Sequence, residues 1–190
     1  EFPGWGGEVQ TLLVALIVID ELVGPALFRH GLARTGEIEG HASTPLIVVS
    51  NREPYLHAYG QDGQITCTPT TGGVAVALDA LLRERSGVWI AHGAGPADRA
   101  VVDASDKIRV PPESPSYQLR RLWLEEPEFS AYYEGFANEG LWPLCHLVDV
   151  RPTFRSEDWA AYQAVNARFA DAIDQELTTA DTQVFIQDYH

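Results

Sequence analysis

The apolar positions of residues 45–190 fall into short β-branched runs, separated by stretches in which apolar residues recur every three or four positions. Runs of about four to eight residues are typical of strands, and the recurring spacing is typical of helices that bury one face. The pattern therefore predicts an α/β fold with a largely parallel sheet. Its strands are predicted at residues 45–50, 88–91, 107–110, 117–124 and 184–187.

Two helices and a hairpin are predicted between these strands. After Gly72-Gly73, one helical face carries Val74, Leu78, Leu81 and Leu82. Residues 156–177 predict a longer helix, with Ser156 as the candidate N-cap and two acidic residues in the first turn. Its apolar face comprises Trp159, Tyr162, Val165, Phe169, Ile173 and Leu177. The segments "YLHAY" and "QITCT", separated by "GQDG", predict a β-hairpin.

Residues 11–28 form a long apolar segment that is interrupted by Thr11, Asp20, Glu21 and a Gly-Pro pair. As a helix it would be about 27 Å long, which nearly spans the roughly 30 Å of a bilayer core. Two carboxylates at membrane depth would cost about 2 to 3 kcal/mol each. A membrane-derived helix and a soluble amphipathic helix therefore both stay open.

The surrounding stretch, "GWGGEVQTLLVALIVIDELVGPALFRHGL", resembles the final transmembrane helix of bacterial monovalent-cation/proton antiporters. Under that interpretation residues 11–28 give membrane association, and the basic residues after them leave the rest of the chain on the cytoplasmic side. A secretory signal is disfavoured because no basic region precedes the apolar run. We divide the chain into an apolar helix (residues 1–34), a polar linker (35–44) and a globular part (45–190).

The composition excludes some classes of function. The chain has 190 residues and a net charge of −14, from 27 acidic residues against 13 lysines and arginines. No stretch gathers basic residues, so we expect no nucleic-acid partner. Cys67 and Cys145 belong to no metal-binding or disulfide pattern, so we expect no metal site. Both are predicted to be small buried apolar groups, which suits a reducing cytoplasm.

Both ends of the sequence are typical of a fragment. The chain contains no methionine, opens at Glu1 and stops directly after a predicted strand and its exit loop. We therefore expect the intact protein to extend beyond the chain at each end.

Polar residues follow three of the predicted strands, at the edge where parallel α/β sheets bind ligands. They are Asn51-Arg52, His92 and Asp188-Tyr189-His190. Gly72-Gly73 opens a helix, where free backbone N–H groups and the helix dipole favour an anion. These features predict a phosphate pocket.

Residues 132–146, "YYEGFANEGLWPLCH", concentrate aromatic rings beside hydrogen-bonding groups, although neither the helical nor the strand period runs through them. An aromatic ring can cover the C–H face of a sugar while its O–H or N–H meets a hydroxyl. For Trp142 taken by itself, core packing is the ordinary interpretation.

Five segments of the chain carry a family resemblance: "IVVSNREP", "TGGVAVALDALL", "YYEGFANEGLWPLCH", "WAAYQAVNARFADAI" and "VFIQDYH". In this order they resemble the trehalose-6-phosphate synthase family. The resemblance covers residues 45–190 and implies an incomplete Rossmann-like N-terminal domain of a GT-B glycosyltransferase. It also implies the transfer of glucose from UDP- or GDP-glucose to glucose 6-phosphate with retention of configuration, without a cofactor.

The resemblance implies an acceptor site made of four residues. Arg52 would hold the acceptor phosphate, a role that suits its planar guanidinium. Tyr133 and Trp142 would line the acceptor sugar, and Asp188 would accept hydrogen bonds from its hydroxyls. The alternative for Arg52 is a weak ion pair with a surface acid.

On the donor side, the resemblance implies that the backbone of Gly72 and Gly73 lies against the diphosphate of the nucleotide sugar. The family's other donor-binding residues would lie beyond His190, so no catalytic residue is expected within this chain. We expect the chain alone to bind an acceptor weakly and to transfer no glucose.

Two other functions stay open. A relative that acts on glycerol 3-phosphate, as in glucosylglycerol-phosphate synthases, would have a similar acceptor pocket. A non-catalytic domain that senses sugar phosphates and is fused to a membrane transporter would account for the antiporter-like residues 1–40.

Overall fold

A computed structural model describes residues 44–146 and 149–190, and its centre is a five-stranded sheet. In spatial order the strands are β5 (Lys107–Val110), β6 (Tyr117–Leu122), β4 (Gly87–His92), β1 (Leu46–Arg52) and β7 (Gln183–Ile186). The last four run parallel, whereas β5 is antiparallel to β6. The α/β class and all five predicted strands are confirmed.

The predicted hairpin is also confirmed. β2 (Tyr55–Tyr59) and β3 (Ile65–Pro69) pair antiparallel as a separate two-stranded sheet. In the turn between them, Gly63 has a φ of 76°, a left-handed conformation that glycine adopts at little cost.

Helices occupy both faces of the large sheet. They are α1 (Gly73–Arg85), α2 (Asp98–Val101), α3 (Glu126–Phe129), α4 (Trp142–Cys145) and α5 (Ser156–Glu176). The segment between α3 and α4, Ser130–Leu141, is π-helical and continues both of them without a break.

One face of the sheet packs against α1. Leu78 and Leu82 of α1 are buried with Val48, Trp89 and other residues of the sheet, and Leu81 packs at the margin of this cluster. The prediction for Val74 was wrong, because its side chain is exposed and lies beside a surface cleft. In the first turn of α1, Val74 and Val76 are exposed, whereas Ala75 packs against the core cluster.

The opposite face packs against α5 and the π-helical segment, with Val165 and Phe169 of α5 buried and Tyr162 and Ile173 packed beside them. Trp159 and Leu177, predicted for the same buried face, are exposed. Ser156 was predicted as the N-cap of α5, but Arg155 occupies that position and no side chain caps the helix.

The π-helical segment accounts for the missing period in residues 132–146. Its hydrogen bonds span five residues instead of four, so apolar positions spaced for an α-helix would not line up on one side. Tyr132 and Phe136 of this segment are buried. The helical nature of this segment was not predicted from the sequence.

The carboxylate of Asp79 fixes α1 against two strands. It accepts hydrogen bonds from the hydroxyls of Tyr117 on β6 (2.5 Å) and Tyr55 on β2 (3.0 Å). Arg83 Nε donates to its second oxygen at 2.7 Å. Because this one side chain ties α1 to two strands, it helps to set the position of the helix on the sheet.

Tyr117→Phe is expected to lower the free energy of unfolding by about 1 kcal/mol, because it removes one hydrogen bond to a partly buried carboxylate. Urea denaturation would measure the loss. Tyr59→Phe is the matched control, since the Tyr59 side chain is exposed and its change should cost less than about 0.5 kcal/mol. Equal losses in both variants would contradict the role given to Asp79.

Residues 1–43 lie outside the described part of the chain, and with them lie the predicted apolar helix and nearly all of the predicted linker. No helix among the residues that are described is long and apolar enough to cross a bilayer. Both cysteines are free thiols. Cys67 is partly buried against the core, whereas the prediction of a buried Cys145 was wrong because that residue is exposed on the short helix α4.

Candidate functional site

A cleft of about 320 Å³ opens at the carboxyl ends of β1 and β7, beside the first turn of α1. Five of the six residues predicted to bind a ligand line it, namely Arg52, Gly72, Gly73, Tyr133 and Asp188. The remaining lining includes Ser50, Asn51, Thr70, Thr71, Gln187 and His190. The structure thus brings together residues that are up to 136 positions apart, from Arg52 to Asp188 (188 − 52).

Arg52 lies where β1 contains a bulge. Ser50 pairs with Ala91 and Arg52 with His92, so Asn51 is the extra residue. Bulges re-aim the side chains near them. The Arg52 side chain is exposed at the cleft and forms no ion pair within residues 44–146 and 149–190. The alternative of a surface ion pair therefore has no support in the described part of the chain.

The backbone around Arg52 is held on both sides. Ser50 Oγ donates to the Arg52 carbonyl at 2.6 Å and accepts a hydrogen bond from the indole of Trp89 at 2.8 Å. The amide oxygen of Asn51 accepts a hydrogen bond from the hydroxyl of Tyr132. Residues buried in the two core clusters thus fix the end of β1, and the guanidinium extends from a rigid base.

The glycine pair forms the entry to α1. Gly72 has a φ of 146°, where a side chain would strain the backbone, so this position favours glycine. No side chain caps the helix and its first turn contains no acid. The first N–H groups of α1, together with the helix dipole, therefore give this wall of the cleft a positive potential suited to an anion.

The opposite wall consists of residues that follow β7. Asp188 has a φ of 73°, a left-handed backbone conformation that is uncommon for residues other than glycine. Its carboxylate accepts a hydrogen bond from the Tyr189 N–H at 2.9 Å. Burial lowers the pKa of His190, with Arg52 acting in the same direction and Asp188 against it. The cleft therefore has an exposed acceptor group on one side and a cation on the other.

Aromatic rings stack along the floor of the cleft. Tyr133 packs between Phe129, with ring centroids 5.1 Å apart, and His190 at 5.0 Å. His92, one of the polar residues expected at this edge of the sheet, does not line the cleft but is buried and stacks on Phe129, with ring centroids 4.9 Å apart. His92 therefore supports the ring that supports Tyr133, and burial lowers its pKa.

Trp142 is the one predicted site residue that does not line the cleft. Its ring is 41% exposed and stacks on His146 at 4.7 Å. His146 in turn meets Tyr189 edge to face at 6.5 Å. Trp142 therefore reaches the cleft residues only through two intervening rings.

Beneath the cleft lies a cluster that was not predicted, which we call the buried ion network: Glu53, His57, Asp98 and Arg121. All four side chains are at most 4% exposed. Arg121 Nε donates to Glu53 Oε2 at 2.5 Å, and Arg121 Nη2 lies 3.0 Å from Asp98 Oδ1. The sequence contained one signal, because Arg121 occupies the inward position of the alternating β6 pattern where Tyr117 and Leu119 are buried.

The protonation of the network follows from its geometry. Burial and a hydrogen bond with Asp98 raise the pKa of Glu53 to about 8. Burial also tends to raise the pKa of Asp98, but hydrogen bonds and the Arg121 charge bring it below its ordinary value. His57 Nδ1 lies 2.9 Å from Arg121 Nη2 and 3.1 Å from Asp98 Oδ1, and burial lowers the pKa of His57. At neutral pH the network thus holds one cation, one carboxylate and one neutral carboxyl group.

Glu53 is expected to make the fold less stable as the pH rises. The unfolded carboxyl loses its proton near its ordinary pKa of 4.5, whereas the folded one keeps it to about 8. Between these values the folded state binds the extra proton, so stability falls by up to about 1.4 kcal/mol per pH unit. Glu53→Gln cannot ionise. Between about pH 6.5 and pH 8, the wild-type chain should lose on the order of 1 to 2 kcal/mol more than this variant in urea denaturation.

The other ionisable groups of the buried ion network and its surroundings are expected to titrate outside this pH range. They are Arg121 from β6, Asp98 from α2, His57 from β2 and Cys67 from β3. The pKa of His57 is lowered from 6.5, so its effect on stability appears as the pH falls below that value. The pKa of Cys67 is raised from 9.0, so its effect appears above it. Equal slopes in the two proteins would mean that Glu53 is already ionised at neutral pH.

Comparison with known sequences places this cleft in a family context. The family model described as glycosyltransferase family 20 matches residues 44–190. A trehalose-6-phosphate synthase from Mycolicibacterium gilvum is 38% identical over 161 residues, which are 85% of this chain and 31% of the relative. The chain thus spans about a third of the length of the curated relatives it matches.

Solved structures share the fold. The Escherichia coli structure bound with UDP-2-fluoro glucose has a TM-score of 0.56 at 27% identity, covering 77% of this chain and 28% of that one. A trehalose-phosphate synthase (UDP-forming) from Burkholderia xenovorans, in complex with glucose-6-phosphate, has a TM-score of 0.52 at 26% identity. That match also covers 77% of this chain and 28% of the other. The predicted partial GT-B domain is therefore confirmed as the fold class.

Proposed function

Because this chain belongs to glycosyltransferase family 20, we propose that its cleft is the acceptor side of an enzyme that transfers glucose from a nucleotide sugar to glucose 6-phosphate. The product would be trehalose 6-phosphate. One observation carries the proposal: an arginine without an ion pair in the described residues shares a cleft with the first turn of α1 and with Asp188. Cations, free N–H groups and a carboxylate are the groups that a phosphorylated sugar requires.

The proposed acceptor pose follows from the two walls of the cleft. Arg52 would form charged hydrogen bonds with the phosphate, and Asp188 would accept hydrogen bonds from sugar hydroxyls across the cleft. The ring of Tyr133, held between Phe129 and His190, would cover an apolar face of the pyranose. Trp142 keeps its predicted role only if its ring moves toward the cleft from its position on His146.

On the donor side, the N–H groups at Gly72 and Gly73 would donate hydrogen bonds to the diphosphate of UDP- or GDP-glucose. A donor diphosphate and an acceptor phosphate would then lie on neighbouring parts of one cleft, which brings the two sugars together. The chain's own contribution to the reaction is orientation and the stabilisation of negative charge, because both substrates are held by fixed donors. Nucleotide sugars are cytoplasmic substrates, so we propose that the domain faces the cytoplasm.

The proposed function is tested with the protein made from the complete reading frame that contains these residues. Radiolabelled UDP-glucose and GDP-glucose are offered with glucose 6-phosphate, glycerol 3-phosphate or no acceptor. A labelled disaccharide phosphate is the expected product. If a product forms only with glycerol 3-phosphate, that compound is the acceptor in place of glucose 6-phosphate. If no labelled phosphate product forms, the proposed enzymatic activity is wrong and a sugar-phosphate-binding domain is favoured.

A further inference from the structure

Glu53 follows Arg52 directly, yet its side chain is 2% exposed and points away from the cleft into the buried ion network. A buried carboxyl group costs free energy unless its hydrogen bonds are made. Those of Glu53 are made, and each partner belongs to a different segment near the cleft. Glu53 therefore connects segments that surround the cleft, in addition to being buried in the core.

The side chain of Glu53 bonds to the loop after β4 and to β6. Oε1 accepts a hydrogen bond from the Ala94 N–H at 2.9 Å, and Oε2 accepts one from Arg121 Nε at 2.5 Å. Asp98 holds the same loop from its other end, because it accepts a hydrogen bond from the Gly95 N–H. These contacts fix the residue next to Arg52 relative to the sheet.

The backbone of Glu53 bonds to the loop that leads into α1. The hydroxyl of Thr70 donates to the Glu53 carbonyl at 2.7 Å, and the Thr70 N–H donates to the neighbouring Pro54 carbonyl at 2.8 Å. Thr70 lines the cleft two residues before Gly72. Glu53 therefore connects Arg52, on one wall of the cleft, to the Thr70–Gly73 loop on another.

We propose that Glu53 is a positioning residue that sets the distance between Arg52 and the Thr70–Gly73 loop, so that one phosphorylated ligand contacts both. The inference rests on the proposed function. Glu53 touches no ligand itself, because its carboxyl group is buried behind the cleft. It acts through Arg52 on one side and through Thr70 on the other.

Shortening the side chain tests this role. Glu53→Ala removes the bonds to Ala94 and Arg121, and a displaced Arg52 should weaken glucose 6-phosphate binding about tenfold. Affinity for glucose, which lacks the phosphate, should stay unchanged. Glu53→Gln keeps the length, one acceptor oxygen and a donor toward Asp98, so it should restore most of the phosphate affinity.

NMR-monitored titration of the chain with glucose 6-phosphate and with glucose gives both affinities. The matched control is Glu176→Ala, which removes another buried acid that pairs with Lys107 and Arg120 far from the cleft. It should leave both affinities unchanged. If Glu53→Ala fails to fold, Thr70→Val breaks the same connection from the loop side and should weaken glucose 6-phosphate binding about threefold.

The outcomes separate the two proposals. No binding of glucose 6-phosphate by the unaltered chain would overturn the proposed function and this inference with it. Normal binding by the unaltered chain and unchanged binding by the Glu53→Ala or Thr70→Val variant would overturn the inference alone. An equal loss for glucose and glucose 6-phosphate, or the same loss in Glu176→Ala, would show that Glu53 only stabilises the fold.

Discussion

Arg52→Ala is expected to weaken the binding of glucose 6-phosphate to this chain by about ten- to a hundredfold, because a charged hydrogen-bonded contact contributes roughly 1.5 to 3 kcal/mol. The guanidinium forms no ion pair within the described residues, so no described acid competes with a ligand for it. Glucose itself should bind the variant as it binds the wild-type chain. Calorimetric titration of both ligands into both proteins measures the difference.

The control for this experiment is Arg109→Ala. Arg109 is an exposed arginine on the edge strand β5 and donates only to the Pro115 carbonyl among the described residues. Its removal changes the net charge by the same amount but leaves the cleft intact. A loss of phosphate binding as large as that of Arg52→Ala would mean that overall charge, and not contact with Arg52, controls affinity. An equal loss for glucose would mean that Arg52 supports the fold.

Arg121→Met is expected to lower the free energy of unfolding by about 3 to 5 kcal/mol, because it leaves an uncompensated charge in the interior. Arg121 is 1% exposed and contacts Glu53, Asp98, His57 and the Tyr55 carbonyl. Methionine fills much of the same volume, so the loss measures the missing charge and hydrogen bonds rather than a cavity. Urea denaturation at about pH 7 gives the value.

Arg109→Met serves as the matched comparison for this loss. The same substitution on the exposed edge strand should change stability by less than about 0.5 kcal/mol. A loss below about 1 kcal/mol for Arg121→Met would mean that Asp98 and Glu53 find other partners or water once the arginine is removed. The buried ion network would then be dispensable for the fold.

The sheet could be predicted from the sequence because its central strands β1 and β4 contain short apolar runs, which are mostly buried. Leu46 to Ser50 of β1 are all buried, as a central parallel strand requires. The cleft could be predicted for a similar reason, since the ends of parallel strands meet at one edge. Arg52 and Asp188 are brought there by topology, whatever side chains surround them.

Other features depend on packing that no local pattern encodes. Val74 satisfies the period of α1 but is exposed, and Trp159 satisfies the period of α5 but is exposed as well. The π-helical segment has no recognisable period, so its aromatic residues indicated contact with a sugar but did not predict a helix. The buried ion network was not predicted because its members come from three elements and, for Glu53, from the loop after β1, and only Arg121 departs from the pattern of its strand.

The position of β7 has a consequence for how the cleft responds to a ligand. Among the described strands, β1 has hydrogen-bonded neighbours on both sides, whereas β7 pairs only with β1 and all four of its residues are exposed. Amide protons of β1 should therefore exchange with solvent only through global opening, and those of β7 through local opening. In this chain we therefore expect the wall with Arg52 to be more rigid than the wall with Asp188 before a ligand arrives. Ordering that second wall would cost conformational entropy, so ligand binding should slow amide exchange most in residues 183–190.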